Sequence, residues 1–153
     1  MKNILLTIML FSCANVAWAQ HHHNEHHAKV NHIGAAVTKS LNDEGWMYHV
    51  HYLRKLRATH DKVSVGLGGM YMSAHGQYGV SLPVAVKPLP NLMIMASPAI
   101  VNHHDEWELA ADINATYAIL PLGPVHLGPT VGYMVGGGHG NQFFAGLHAG
   151  LPF

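Results

Sequence analysis

From about residue 32 to its end, this chain alternates its side chains with a period of two, and that alternation restricts the fold more than any other feature. The stretch WELAADINATYAI carries it most cleanly. Trp107, Leu109, Ala111, Ile113, Ala115, Tyr117 and Ile119 fall on one face, and Glu108, Ala110, Asp112, Asn114, Thr116 and Ala118 on the other. A helix would scatter these residues around its axis, whereas a strand separates them. Seven further segments behave in the same way, at roughly 32–41, 45–56, 62–72, 78–88, 92–102, 125–136 and 142–153. Turn-forming stretches divide them: NDEG, THD, AHGQ, PLPN, HHDE, LPLGP and GGGHGN. The expectation is an all-β fold of eight antiparallel strands joined as successive hairpins.

The composition of the two faces decides which one points inward. One face carries large apolar side chains such as Val37, Tyr48, Leu67, Val80, Ile94 and Val131. The other is rich in small residues, among them Gly66, Gly68, Gly79, Ser81, Thr130, Gly146 and Gly150. Small residues suit the crowded interior of an eight-stranded barrel. Aromatics near the strand ends (Trp46, Tyr48, Tyr71, Tyr78, Trp107, Tyr117 and Tyr133) suit the two water boundaries of a bilayer. Closure removes the sheet edges, as lipid requires. The chain therefore reads as an up-and-down transmembrane β-barrel with its apolar face outward. Pro83, Pro98 and Pro129 each lack a ladder donor, which leaves individual strand boundaries open.

The first nineteen residues read as a secretory signal: Lys2, then the apolar run Ile4 to Phe11, then Ala17-Trp18-Ala19 before Gln20. The alternative uses Cys13, in LFSC, as a lipoprotein anchor. Cys13 is the one cysteine, and cleavage after Ala19 removes it, so the mature chain has no disulfide, thiolate nucleophile or cysteine ligand. With Lys2 also gone, seven basic and eight acidic residues leave a formal charge of −1. A near-neutral exported chain without a basic patch is not expected to bind nucleic acid. The organisation expected is a signal at 1–19, a flexible His-rich tail at 20–31 and a barrel at 32–153.

The last strand, FFAGLHAGLPF, places Phe143, Ala145, Leu147, Ala149, Leu151 and the terminal Phe153 on one face. It resembles the C-terminal strand of bacterial outer-membrane barrel proteins, and the chain as a whole is similar to their small eight-stranded members. That resemblance implies residence in the outer membrane of a Gram-negative bacterium, in contact with its lipid. It implies recognition by the barrel assembly machinery through the strand ending at Phe153, and both termini in the periplasm, in a monomer. Arg54, Lys55, Arg57, Lys62 and Lys87 then fall at the periplasmic mouth, and Asp43, Glu44, Asp105, Glu106 and Glu108 at the outer one. An acidic mouth concentrates cations.

Fifteen histidines stand against eight lysines plus arginines, a bias that exposed polarity alone does not explain. Neutral imidazole ligates Zn²⁺, Cu²⁺ and Ni²⁺, and thioether sulfur adds a preference for Cu⁺. His21, His22, His23, His26, His27 and His32 can bind such ions from a tail, with Glu25 as an oxygen donor. The outward loops add His75, His103, His104 and His139. His49, His51, His126 and His148 are expected to face the lumen, where His49 or His51 could pair with Asp112. Met47, Met70, Met72, Met93, Met95 and Met134 also fall inward, as flexible packing or as a copper ladder.

The function expected is binding or buffering of transition-metal ions, Zn, Cu or Ni, by the tail and outer loops of an outer-membrane barrel, in aid of uptake or resistance. No cofactor is required by this reading. The alternatives are a structural barrel without a ligand, a narrow ion channel, and a lipid-modifying enzyme. The last rests on Ser73 and His75 alone, with no triad marked around them.

Overall fold

The computed structural model describes residues 29–59, 62–74, 76–137 and 140–153. The signal segment, most of the tail with His21, His22, His23, His26 and His27, and the loop residues His75 and His139 lie outside the described residues.

The alternating segments form strands β1 (Asn31–Ser40), β2 (Trp46–Lys55), β3 (Val63–Met72), β4 (Gln77–Ser81), β5 (Val84–Leu89), β6 (Leu92–His103), β7 (Glu106–Tyr117), β8 (Leu120–Leu122), β9 (Val125–Gly136) and β10 (Gln142–Pro152). Two pairs share a stave of the barrel. β4 and β5 together lie between β3 and β6, and β7 and β8 both pair with β9. The result is eight staves, each antiparallel to its neighbours. β1 and β10 close the cylinder from His32 opposite Pro152 to Ser40 opposite Phe144. At the seam, Asn31 and Phe153 each donate a backbone N–H to the other's carbonyl at 2.9 Å.

The extra breaks have local causes. Pro83 has no N–H to give the ladder, and it separates β4 from β5. Its carbonyl still accepts from the Gly66 N–H at 3.0 Å, so the stave bends without opening. Pro98 and Pro129 stay inside β6 and β9. A second interruption, at Ala118 and Ile119, splits the expected strand at 107–119 from its short continuation, β8.

The faces sort as the alternation requires. Val37, Tyr52, Leu67, Val80, Ile100, Ile113, Val131 and Leu147 are exposed on the outside. A monomer in water rarely exposes a contiguous apolar surface of more than a few hundred Å²; this one encircles the barrel. Inside, two apolar clusters plug the lumen. One contains Met70, Met72, Val101, Met134 and Phe144, with Met47 packed against it. The other contains Leu53, Ala85, Met93 and Met95.

The two ends differ. The terminal mouth, where the chain enters β1 and leaves β10, carries Arg54, Lys55, Arg57, Lys62 and Lys87. The distal mouth carries Asp43, Glu44, Asp105, Glu106 and Glu108. Aromatics were expected at both rims but concentrate at the distal one, in the pairs Tyr48–Tyr71, Tyr78–Trp107 and Tyr133–Phe143, with ring centroids 6.3, 5.8 and 4.6 Å apart. The terminal rim has Tyr52, Tyr117 and Phe153.

Candidate functional site: histidines and methionines in the lumen

Closing the barrel brings β10, β1 and β2 side by side, and their inward positions are where the histidines lie. The register sets Ala36 opposite both His49 of β2 and His148 of β10, and Gly34 opposite both His51 and Gly150. Each imidazole therefore leans over a neighbour with little or no side chain. A methyl group at Gly34 would overlap the Nε2 atoms of both His51 and His148, and one at Gly150 would overlap the His32 ring. Across the next ladder, His148 faces Gly128, and His126 faces Gly150. These inward glycines make room for rings that a barrel of this size could not otherwise hold.

The imidazoles form one connected group. His51 lies 5.3 Å from His49, 5.3 Å from His148 and 5.6 Å from His32, centroid to centroid; His32 and His148 are 6.0 Å apart. The rings of His32, His51 and His148 are nearly parallel, at interplanar angles of 9° to 20°. Burial is nearly complete: 6 % of His49 is exposed, 4 % of His51 and 6 % of His148. Among the described residues, five of their ring nitrogens make no hydrogen bond: His32 Nδ1, His49 Nε2, His148 Nε2 and both nitrogens of His51. A buried polar atom without a partner costs about 1–3 kcal/mol. Filling the same space with leucine would carry no such cost.

The methionines share the interior. All six in the described residues point inward, although an apolar side chain is equally at home on the lipid-like exterior. On β2 and β3 they continue the histidine rows directly: Met47 is opposite Met72, and His49 is opposite Met70.

The far wall of the lumen is polar without histidine. Asn114 Nδ2 donates to Asp112 Oδ2 at 2.8 Å, and the Thr116 and Thr130 hydroxyls are 3.0 Å apart. Asp112 is thus held by Asn114, on β7, and not by His49 or His51. The voids that remain are small. One of about 100 Å³ at the terminal mouth is lined by His32, Lys87, His126 and His148 among others. Among the described residues, no three His, Cys, Asp or Glu side chains are placed to hold a metal ion together.

The other site residues read from sequence divide. His32 lies in β1, as the strand bounds required, and its ring joins the lumen group, although the sequence reading counted it with the metal donors of the tail. His103 and His104 sit at the β6–β7 hairpin, with ring centroids 4.3 Å apart, and His103 Nδ1 lies 3.6 Å from Glu108 Oε1. His104 and Asp105 both have positive φ, 49° and 67°, as a two-residue type I′ turn requires. The Ser73 hydroxyl accepts the Trp46 N–H at 2.9 Å, which ties two distal loops together.

No family model and no curated protein matches the chain. Solved structures do. A chain described as "De novo design of transmembrane beta-barrels" is 12% identical, with a TM-score of 0.54, over 83% of this chain and 99% of that one. The solution NMR structure of de novo designed TMB2.3 is 13% identical, with a TM-score of 0.53, over 82% and 94%. At such identities the likeness is one of fold. This chain is a closed eight-stranded antiparallel β-barrel, similar in fold to designed transmembrane barrels.

Proposed function

We propose that this protein crosses the bacterial outer membrane as a barrel, with both termini in the periplasm, and binds transition-metal ions, Zn, Cu or Ni, with imidazole donors. The observation that carries the reading is the connected group of His32, His49, His51 and His148 in the lumen, the last three buried and His32 half-buried, with five ring nitrogens that make no hydrogen bond among the described residues. The group lies towards the terminal mouth, the end at which the histidine tail joins β1. Tail and lumen then form one reservoir of ligands on the periplasmic side. The acidic distal mouth draws cations from outside.

Calorimetric titration of the refolded full chain with Zn²⁺, Cu²⁺ and Ni²⁺ tests this. The comparison is a variant with His21, His22, His23, His26 and His27 all replaced by Asn, and a second that adds His51→Asn and His148→Asn. The expected result is a binding component that survives the first set of changes and disappears with the second. Binding lost entirely with the tail would make the barrel an anchor for a metal-sequestering segment. An unmodified chain that binds no better than a free histidine peptide would leave a structural barrel.

A further inference from the structure

The lumen donors are not all of one kind, and their order along the barrel is informative. Starting from the distal mouth, β2 and β3 present Met47 with Met72, then His49 with Met70, then His51, whose ring meets His148 and His32. Successive rows on one strand are roughly 7 Å apart, because inward positions recur every second residue. Three voids follow the same line. A distal void of about 20 Å³ is bordered by Met47 and Met72, and a central one of about 10 Å³ by Met47, His49, Met95 and His148. The terminal cavity is bordered by His148 and His32. Met47 thus borders the first two voids, and His148 the last two.

Taking the metal-binding reading above as given, we infer that the lumen is a binding column for a soft monovalent ion, Cu⁺, held by thioether sulfur at the distal end and by imidazole towards the terminal end. Three observations bear on the choice of ion. The six inward methionines offer soft, uncharged thioether sulfur, a donor well suited to Cu⁺. No group of three His, Cys, Asp or Glu side chains stands ready among the described residues, as a tetrahedral Zn²⁺ site needs, whereas Cu⁺ accepts two or three donors. The central and distal voids are near the size of one water molecule, too small for a hydrated divalent ion and sufficient for a dehydrated ion bound directly to side chains.

Ag⁺ is the redox-inert analogue of Cu⁺ and serves as the probe. Its affinity and that of Zn²⁺ are measured on the full chain with the five tail histidines replaced by Asn, and on the same chain carrying Met47→Leu, Met70→Leu and Met72→Leu. Leucine keeps the volume of methionine and removes the sulfur, and circular dichroism with heat-dependent gel migration checks the fold. If the triple variant does not fold, Met70→Leu alone is compared. The expected result is a fall in Ag⁺ affinity on the order of tenfold or more, the scale on which metal sites respond to losing a supporting group, with Zn²⁺ affinity unchanged. Unchanged Ag⁺ affinity in a folded leucine variant overturns the inference. Binding of Zn²⁺ without Ag⁺ overturns it too, and leaves the proposed metal binding standing. Binding of neither ion, by the tail-substituted chain or by the unmodified one, ends the lumen column; only the unmodified result also ends the metal reading.

Discussion

His49 and Met70 stand directly opposite each other across the β2–β3 ladder, both turned into the lumen and both buried. Imidazole and thioether thus stand at one level, beside a neighbouring Met47–Met72 pair.

A lipid-facing exterior has a measurable consequence at Leu67, midway along β3 and 65 % exposed. Leu67→Arg would be almost neutral on a strand facing water. In a bilayer it costs about 2–4 kcal/mol when it lies near the midplane. Urea unfolding of the barrel in lipid vesicles is expected to show a loss of that size; an unchanged midpoint would put the apolar face somewhere other than lipid.

Gly34→Ala tests whether the imidazoles lie where the geometry puts them, since the added methyl overlaps His51 and His148 together. Overpacking of this kind costs about 1–3 kcal/mol. Replacing His51 by Ala in the same chain should recover much of the loss, giving a double-mutant cycle with a clear coupling term. Additive effects would separate Gly34 from the histidine group.

Conductance offers a third check. With apolar plugs at two levels and only small voids between them, the barrel is expected to give no stepwise K⁺ or Cl⁻ current in a planar bilayer. Sustained open-channel steps would mean that the plugs move aside, and a column of bound ions would no longer describe the lumen.

At the β6–β7 hairpin, His104 and Asp105 hold positive φ without being glycine. Asn-Gly is the preferred pair for such a turn, so His104→Asn with Asp105→Gly is expected to stabilise the barrel by up to about 1 kcal/mol. Ag⁺ affinity of the lumen should not change. A fall would bring the hairpin histidines into the metal path.

Much of this fold was legible in the alternation itself. Strands need only a period of two to declare themselves, and each of the eight staves falls within a few residues of its expected place. What the period could not locate were the breaks at Pro83 and after Tyr117, where one missing donor or a local irregularity interrupts a stave that remains continuous in space. The site was legible only in part. Alternation put His49, His51 and His148 inside, together with the methionines; His126, expected there too, is exposed at the terminal mouth. Alternation could not say that His32 meets His148, because that contact depends on barrel closure between β1 and β10, at opposite ends of the chain. Nor did it separate Asp112 from the histidines, since strands that both face inward can lie on opposite walls. Two signals were available and unused: Gly34 and Gly150 sit at inward positions next to histidines once the hairpin and closure registers are written out.

The most direct measurement of the account is copper K-edge X-ray absorption on the full chain with its five tail histidines replaced by Asn, loaded with Cu⁺ under reducing conditions. The account predicts low-coordinate copper with both nitrogen and sulfur neighbours, the sulfur contribution disappearing when Met47, Met70 and Met72 become Leu. Copper surrounded by nitrogen and oxygen alone, or a barrel that retains no copper, would contradict it.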